Sequence, residues 1–172
     1  LCPVEKRLAR RVAGGYSSGG MDLDTLRTVP MLRELSDKQL AGIAQLFSVK
    51  EHRPGEQLIG EGEPVNALRI ILSGAAHVRR KAQKRDVLLG RLGACGIFGE
   101  INLFDPGLAT ASVVAATQLT VAEIDYEVLR GFMAQNPEAG YRIVTALMAE
   151  VCSRLRQTNQ RFVQSVYWSN AG

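Results

Sequence analysis

The chain has 172 residues, of which 46% are hydrophobic and 22% charged, and a formal net charge of +4. This composition supports one packed domain with a helical appendage, and its core is large enough that the chain need not be disordered or stapled by disulfides. No apolar run approaches the ~20 residues of a membrane span, and Leu1 to Gly20 lacks the apolar middle of a signal peptide, so a cytoplasmic protein without a transmembrane span is expected.

Residues 1–20 carry Lys6, Arg7, Arg10 and Arg11 against Glu5, and end in Gly14-Gly15-Tyr16-Ser17-Ser18-Gly19-Gly20. They read as a flexible basic linker, or a remnant ahead of Met21. The remainder is nearly neutral, which argues against a dedicated nucleic-acid surface. Ser36-Asp37-Lys38-Gln39 is a capping box, and Leu40, Ile43, Ala44 and Leu46 follow at helical spacing, so a helix is predicted over roughly Ser36 to Leu46.

From Phe47 to Asp125 the apolar runs become short and rich in Val, Ile and Leu. Strands are predicted at residues 57–59, 67–72, 75–78, 87–92, 111–115 and 119–124, separated by glycines. Many short strands with Gly-rich turns imply a closed or double-sheeted β core. Gly74, between two such runs, predicts a tight turn that pairs 67–73 with 75–80 as antiparallel neighbours. The block Arg79-Arg80-Lys81-Ala82-Gln83-Lys84-Arg85 reads as the solvated end of a hairpin, or as a contact to an acidic partner or membrane surface.

After Asp125 the helical period returns. Tyr126 to Gln135 forms a short helix capped by Asp125, and Asn136-Pro137 breaks it. A long helix follows, with Val144, Leu147, Met148, Val151, Leu155, Phe162 and Val166 as its apolar stripe. The steps through Val144, Met148, Val151 and Leu155 are those of a coiled-coil seam, which predicts a homodimer; packing on the chain's own β core is the alternative.

The chemistry-bearing candidates are few. Cys2, Cys95 and Cys152 are odd in number and lack metal-site spacing, which excludes a disulfide framework and a zinc ribbon. His52 and His77 stand alone, and no nucleophile–base–orienter set is present, so neither a metal site nor an enzyme is expected. The most informative stretch is Phe98-Gly99-Glu100-Ile101-Asn102-Leu103, after the turn Gly93-Ala94-Cys95-Gly96. A glycine allows close backbone approach, amides at a helix start favour an anion, and a glutamate accepts from sugar hydroxyls. Taken alone, the tripeptide Phe98-Gly99-Glu100 reads first as a turn with a structural glutamate.

Over roughly residues 24–163 the chain resembles the cyclic-nucleotide-binding domain family. The matching parts come in order: Leu32-Arg33-Glu34-Leu35-Ser36, Pro54-Gly55-Glu56, Glu61-Gly62-Glu63-Pro64, Leu68-Arg69-Ile70-Ile71-Leu72-Ser73-Gly74, Gly93 to Glu100, and Ala109 to Ala115. The resemblance implies an α+β fold: an antiparallel β-roll over about 47–125, in a domain of 21–135, flanked by N-terminal helices and a long C-terminal helix in 137–172. It implies a candidate pocket of Leu89, Phe98, Gly99, Glu100, Ile101, Ala109, Thr110, Ala111 and Ser112, and a cyclic nucleotide (cAMP or cGMP) as ligand; the expected dimer along Val144, Met148, Val151 and Leu155 rests on the helix seam.

One position departs from the family pattern. The arginine that pairs with the cyclic phosphate falls on Ala109, and no Lys or Arg lies between Ile97 and Leu129. A guanidinium fork makes the strongest phosphate contacts. Its loss predicts weak or absent cAMP and cGMP binding, with the strand arginines Arg69 and Arg91 as the cations that would have to reach in instead. The expected function is a regulatory module that senses a small ligand and signals through the C-terminal helix. The alternatives are a ligand-free dimerisation module of a larger protein with a partner domain, and the effector part of a transcription regulator. Only Val163 to Gly172 follow the helix stripe, too few residues for a helix-turn-helix, so this segment itself is not expected to bind nucleic acid.

Overall fold

The computed structural model describes residues 23–82 and 85–170. The linker read at 1–20, and Gln83-Lys84 within the basic block, lie outside the described residues. Five helices and eight strands are described: α1 (Leu23–Arg27), α2 (Asp37–Ala44), β1 (Ser48–His52), β2 (Gln57–Ile59), β3 (Ala67–Ser73), β4 (Ala76–Ala82), β5 (Arg85–Leu92), β6 (Ile97–Phe98), α3 (Glu100–Phe104), β7 (Ser112–Ala115), β8 (Leu119–Asp125), α4 (Tyr126–Gln135) and α5 (Pro137–Asn170).

The strands form two four-stranded sheets, ordered β1-β8-β3-β6 and β2-β7-β4-β5, and every pairing is antiparallel. This is the double-sheeted core that the glycine-punctuated runs predicted, and the β-roll that the resemblance implied. Strand β3 lies at its centre with both faces buried. Leu68, Ile70 and Leu72 join the helices in one cluster, while Ile71 joins Phe98, Val113, Leu119 and Val121 in the other. A strand buried on both faces reads as a continuous apolar run, as Leu68–Leu72 does.

The structure corrects the expected pairing of 67–73 with 75–80. Strand β3 pairs with β6 and β8, whereas β4 pairs with β5 and β7. Gly74 is a crossing between the two sheets rather than a hairpin turn. Its φ is +86°, and a Cβ there would fall 2.1 Å from the carbonyl oxygen of Gln118. The crossing is held by Ala75, whose amide donates to Thr117 Oγ1 at 3.0 Å and whose carbonyl accepts from Ala116 at 2.8 Å. The basic block does form the end of a hairpin: β4 and β5 pair through Ala82 and Arg85.

The helices pack on the outer face of the first sheet. Ser36 caps α2, its hydroxyl accepting from Gln39 N while the Gln39 side chain accepts from Ser36 N at 2.9 Å. Asp125 caps α4 by accepting from Glu127 N at 2.8 Å. Helix α5 spans 34 residues, about 50 Å at 1.5 Å per residue. Ala139, Ile143 and Leu147 bury its first turns against the core. No helix among the described residues is long and apolar enough to cross a membrane.

Candidate functional site

The cassette runs from β6 through α3 to β7, and local forces fix its path. Gly99 has φ +82°, and a Cβ would meet the carbonyl oxygen of Ala67 at 2.6 Å. The close approach that this glycine permits is therefore to the neighbouring strand β3. The Tyr126 hydroxyl donates to the Gly99 carbonyl, and burial pushes the phenol up to about 12. Asn102 Nδ2 donates to Gly107 O at 2.7 Å and closes the loop after α3. Arg130 of α4 donates to Leu103 O at 2.8 Å and ties the end of α3 to the helices.

Phe98, Gly99, Glu100, Ile101, Ala109, Thr110 and Ala111 come together around a cavity of about 100 Å³. Ile59, Val65, Val78, Leu92 and Val113 complete its apolar walls. Two residues of the expected pocket lie elsewhere. Leu89 is exposed on β5, at the register break where Val78 pairs with Gly90 and Arg79 with Leu88, and its carbonyl accepts from Arg161 Nη1 of α5 at 3.0 Å. Ser112 does not line the cavity; its hydroxyl accepts from the Glu61 amide at 2.9 Å.

Ala109 is buried at the cavity wall and brings no side-chain donor. Its amide donates to Glu63 O at 2.8 Å, and its carbonyl accepts from Gly62 N at 2.8 Å. Neither strand arginine replaces the missing cation. Arg69 Nε donates to Glu123 Oε2 at 2.7 Å, on a carboxylate that Lys50 also approaches at 2.9 Å. Burial raises the Glu123 carboxyl, and these two cations together outweigh it and hold the group below its ordinary value. Arg91 on β5, opposite His77 of β4, does not line the cavity.

The cation at the cavity is Arg154 of α5. Its Nη1 donates to Glu100 Oε1 at 2.7 Å, its Nε donates to Glu150 Oε1 at 3.0 Å, and its Nη2 donates to the Ile97 carbonyl. One guanidinium thereby joins the long helix, the first strand of the cassette and the cassette glutamate. Glu100 is 4% exposed. Burial pushes its carboxyl above the ordinary value, and Arg154 opposes that shift. Sequence reading missed Arg154 because its one local signature, Glu150 four residues earlier, is that of any helix-surface pair.

Further along α5 the faces separate. Met148 and Leu155 are 49% and 59% exposed, and Val144 and Val151 are half-buried between them and the core face. Tyr141, Met148, Leu155 and Phe162, all exposed, recur every seven residues.

A family profile described as a cyclic nucleotide-binding domain matches residues 49–136. The chain is similar to the CRP-like cAMP-activated global transcriptional regulator of Mycobacterium tuberculosis, with 33% identity over 129 residues, 74% of this chain and 56% of that protein. The chain spans about half the length of the curated relatives it matches. Among solved structures it resembles the N-terminal domain of a transcriptional regulator from Streptomyces coelicolor A3(2), with a TM-score of 0.66, 29% identity, and coverage of 81% of this chain and 95% of that one. A cyclic nucleotide-binding domain from Methylobacillus flagellatus KT superposes with a TM-score of 0.75 at 22% identity, over 83% of this chain and 81% of that one, a likeness of fold.

Proposed function

The chain belongs to the cyclic nucleotide-binding domain family, and from that premise we propose that it is a regulatory module which senses a small ligand at the cassette and signals through α5. The observation that carries this reading is the Arg154–Glu100 bond, which ties the signalling helix to the cassette side chain best suited to accept from a sugar. A ligand that engages Glu100 acts on the helix through this one pair, and shifts it by the difference in affinity between the two seatings. Binding of cAMP and cGMP is weak, with a dissociation constant no tighter than about 10 μM, since Ala109 offers a cyclic phosphate neither a cation nor a free amide. The module works as a cytoplasmic homodimer joined along Val144, Met148, Val151 and Leu155.

Calorimetry and amide exchange on the chain and on Ala109→Arg test this. The substitution is expected to tighten cAMP binding by about tenfold or more. Saturating the variant with cAMP then changes amide exchange in the α5 turns around Arg154. A helix whose exchange is the same with and without bound nucleotide overturns the reading. It favours instead a ligand-free dimerisation module, whose supporting observation is the exposed seven-residue stripe of α5. A role as the effector part of a transcription regulator accords with the full-length relative, and requires a DNA-binding segment outside residues 1–172.

A further inference from the structure

We infer that the cassette of this chain is a site for an uncharged nucleoside, a ribose diol carrying a flat heterocycle, in preference to a cyclic nucleotide; the inference rests on the ligand-sensing reading and names its ligand class. Three observations converge on it.

The first is that the Ala109 wall of the cavity brings neither a cation nor a free amide to a phosphate. Ala109 has no polar side chain, and its amide is already bonded to Glu63 O at 2.8 Å. An anion seated there would be stripped of water with little in exchange.

The second is charge. Arg154 is the one cation among the residues lining the cavity, and three acceptors hold it: Glu100, Glu150 and the Ile97 carbonyl. Two carboxylates against one guanidinium leave the site without surplus positive charge. A phosphate would have to pull Arg154 from Glu100 and leave that carboxylate buried beside a second anion.

The third is what Glu100 still offers. A carboxylate accepts about four hydrogen bonds, and Arg154 supplies one of them at 2.7 Å. The remaining capacity has room for the two hydroxyl donors of a ribose diol. The walls formed by Ile59, Val65, Val78, Leu92 and Val113 are apolar and suit an uncharged ring. The cavity therefore retains a sugar acceptor and apolar walls while it lacks the partner of a phosphate.

The experiment is calorimetry on the unmodified chain with adenosine, guanosine, cAMP, cGMP and the 2′-deoxynucleosides. At least one nucleoside is expected to bind about tenfold or more tighter than its own cyclic nucleotide, and its 2′-deoxy form about tenfold weaker. Ala109→Arg reverses the order of nucleoside and cyclic nucleotide; the wild-type ranking decides the matter even where that variant folds poorly. A cyclic nucleotide that binds as tightly as its nucleoside overturns the inference. So does a 2′-deoxynucleoside of undiminished affinity, or no nucleoside binding up to about 1 mM. A preference for cyclic nucleotide leaves the sensing role standing, whereas an α5 that ignores bound nucleotide defeats the sensing role; the two failures are distinct.

Discussion

Arg154 and Glu100 meet across 54 positions of sequence, a guanidinium on the long helix donating at 2.7 Å to a carboxylate buried in the cassette. Removing one member of such a pair strands the other. Arg154→Ala is expected to lower stability by about 2–4 kcal/mol, most of it the cost of an uncompensated carboxylate. The double variant Arg154→Ala/Glu100→Gln should recover part of that loss, because the stranded charge is gone. Urea unfolding of both proteins checks this; an Arg154→Ala chain as stable as the parent would show that the bridge contributes nothing.

The same carboxylate sets a pH dependence. The folded-state pKa of Glu100 is raised by burial above its ordinary 4.5, with Arg154 opposing. Its contribution is therefore fully present below that ordinary value, and is lost as pH rises through the folded-state pKa. Glu123, held low by Lys50 and Arg69 against the effect of burial, acts in the opposite sense and loses its contribution as pH falls. The stability of Glu100→Gln against heat, relative to the parent, should rise as pH rises from about 4.5 towards neutrality. A difference that does not change with pH in that window refutes the assignment.

The glycines at positive φ separate into two kinds. Gly55 and Gly74 share φ +86°, yet a Cβ at Gly55 meets nothing within 4 Å, while one at Gly74 would fall 2.1 Å from Gln118 O. Gly55→Ala should cost only the conformational strain, about 1 kcal/mol. Gly74→Ala should cost at least about 3 kcal/mol, because the contact it makes is with backbone that cannot rotate away. Equal melting temperatures for the two variants would contradict this.

The exposed stripe of α5 predicts self-association. Sedimentation at micromolar concentration should give about twice the chain mass, and Met148→Glu with Leu155→Glu should return it to one. A wild-type chain that remains monomeric at about 100 μM refutes the dimer.

What the sequence disclosed, and what it hid, follows the range of the forces involved. Phe98, Gly99 and Glu100 are contiguous, so the start of the cassette was legible as a local pattern. The Ser36 and Asp125 caps were legible for the same reason. Gly74 was correctly marked as a special position but wrongly assigned to a hairpin, since no local signal tells which sheet the next strand joins. Strand β1, with Lys50, Glu51 and His52 on a half-exposed edge, has too little apolar patterning to stand out. Arg154 could not be found from its surroundings, because the contact that matters is made by a distant segment. Leu89 enters the expected pocket by resemblance, and an irregularity of register beside Val78, which no local pattern announces, leaves it off the cavity wall.

The topology of β3 has a consequence for the birth of the protein. Its partners, β6 and β8, are encoded well after it, and Ala67 finds Asp125 only across the whole roll. Among the described strands, β4 and β5 are the one pair adjacent in sequence. At about 5–20 residues per second, a growing chain carries Leu68, Ile70, Ile71 and Leu72 without β8 for roughly 3–12 s. A ribosome stalled between β5 and β8 thus holds the protein at its stickiest, and crosslinking to nascent-chain chaperones should peak there and fall once β8 has cleared the exit tunnel.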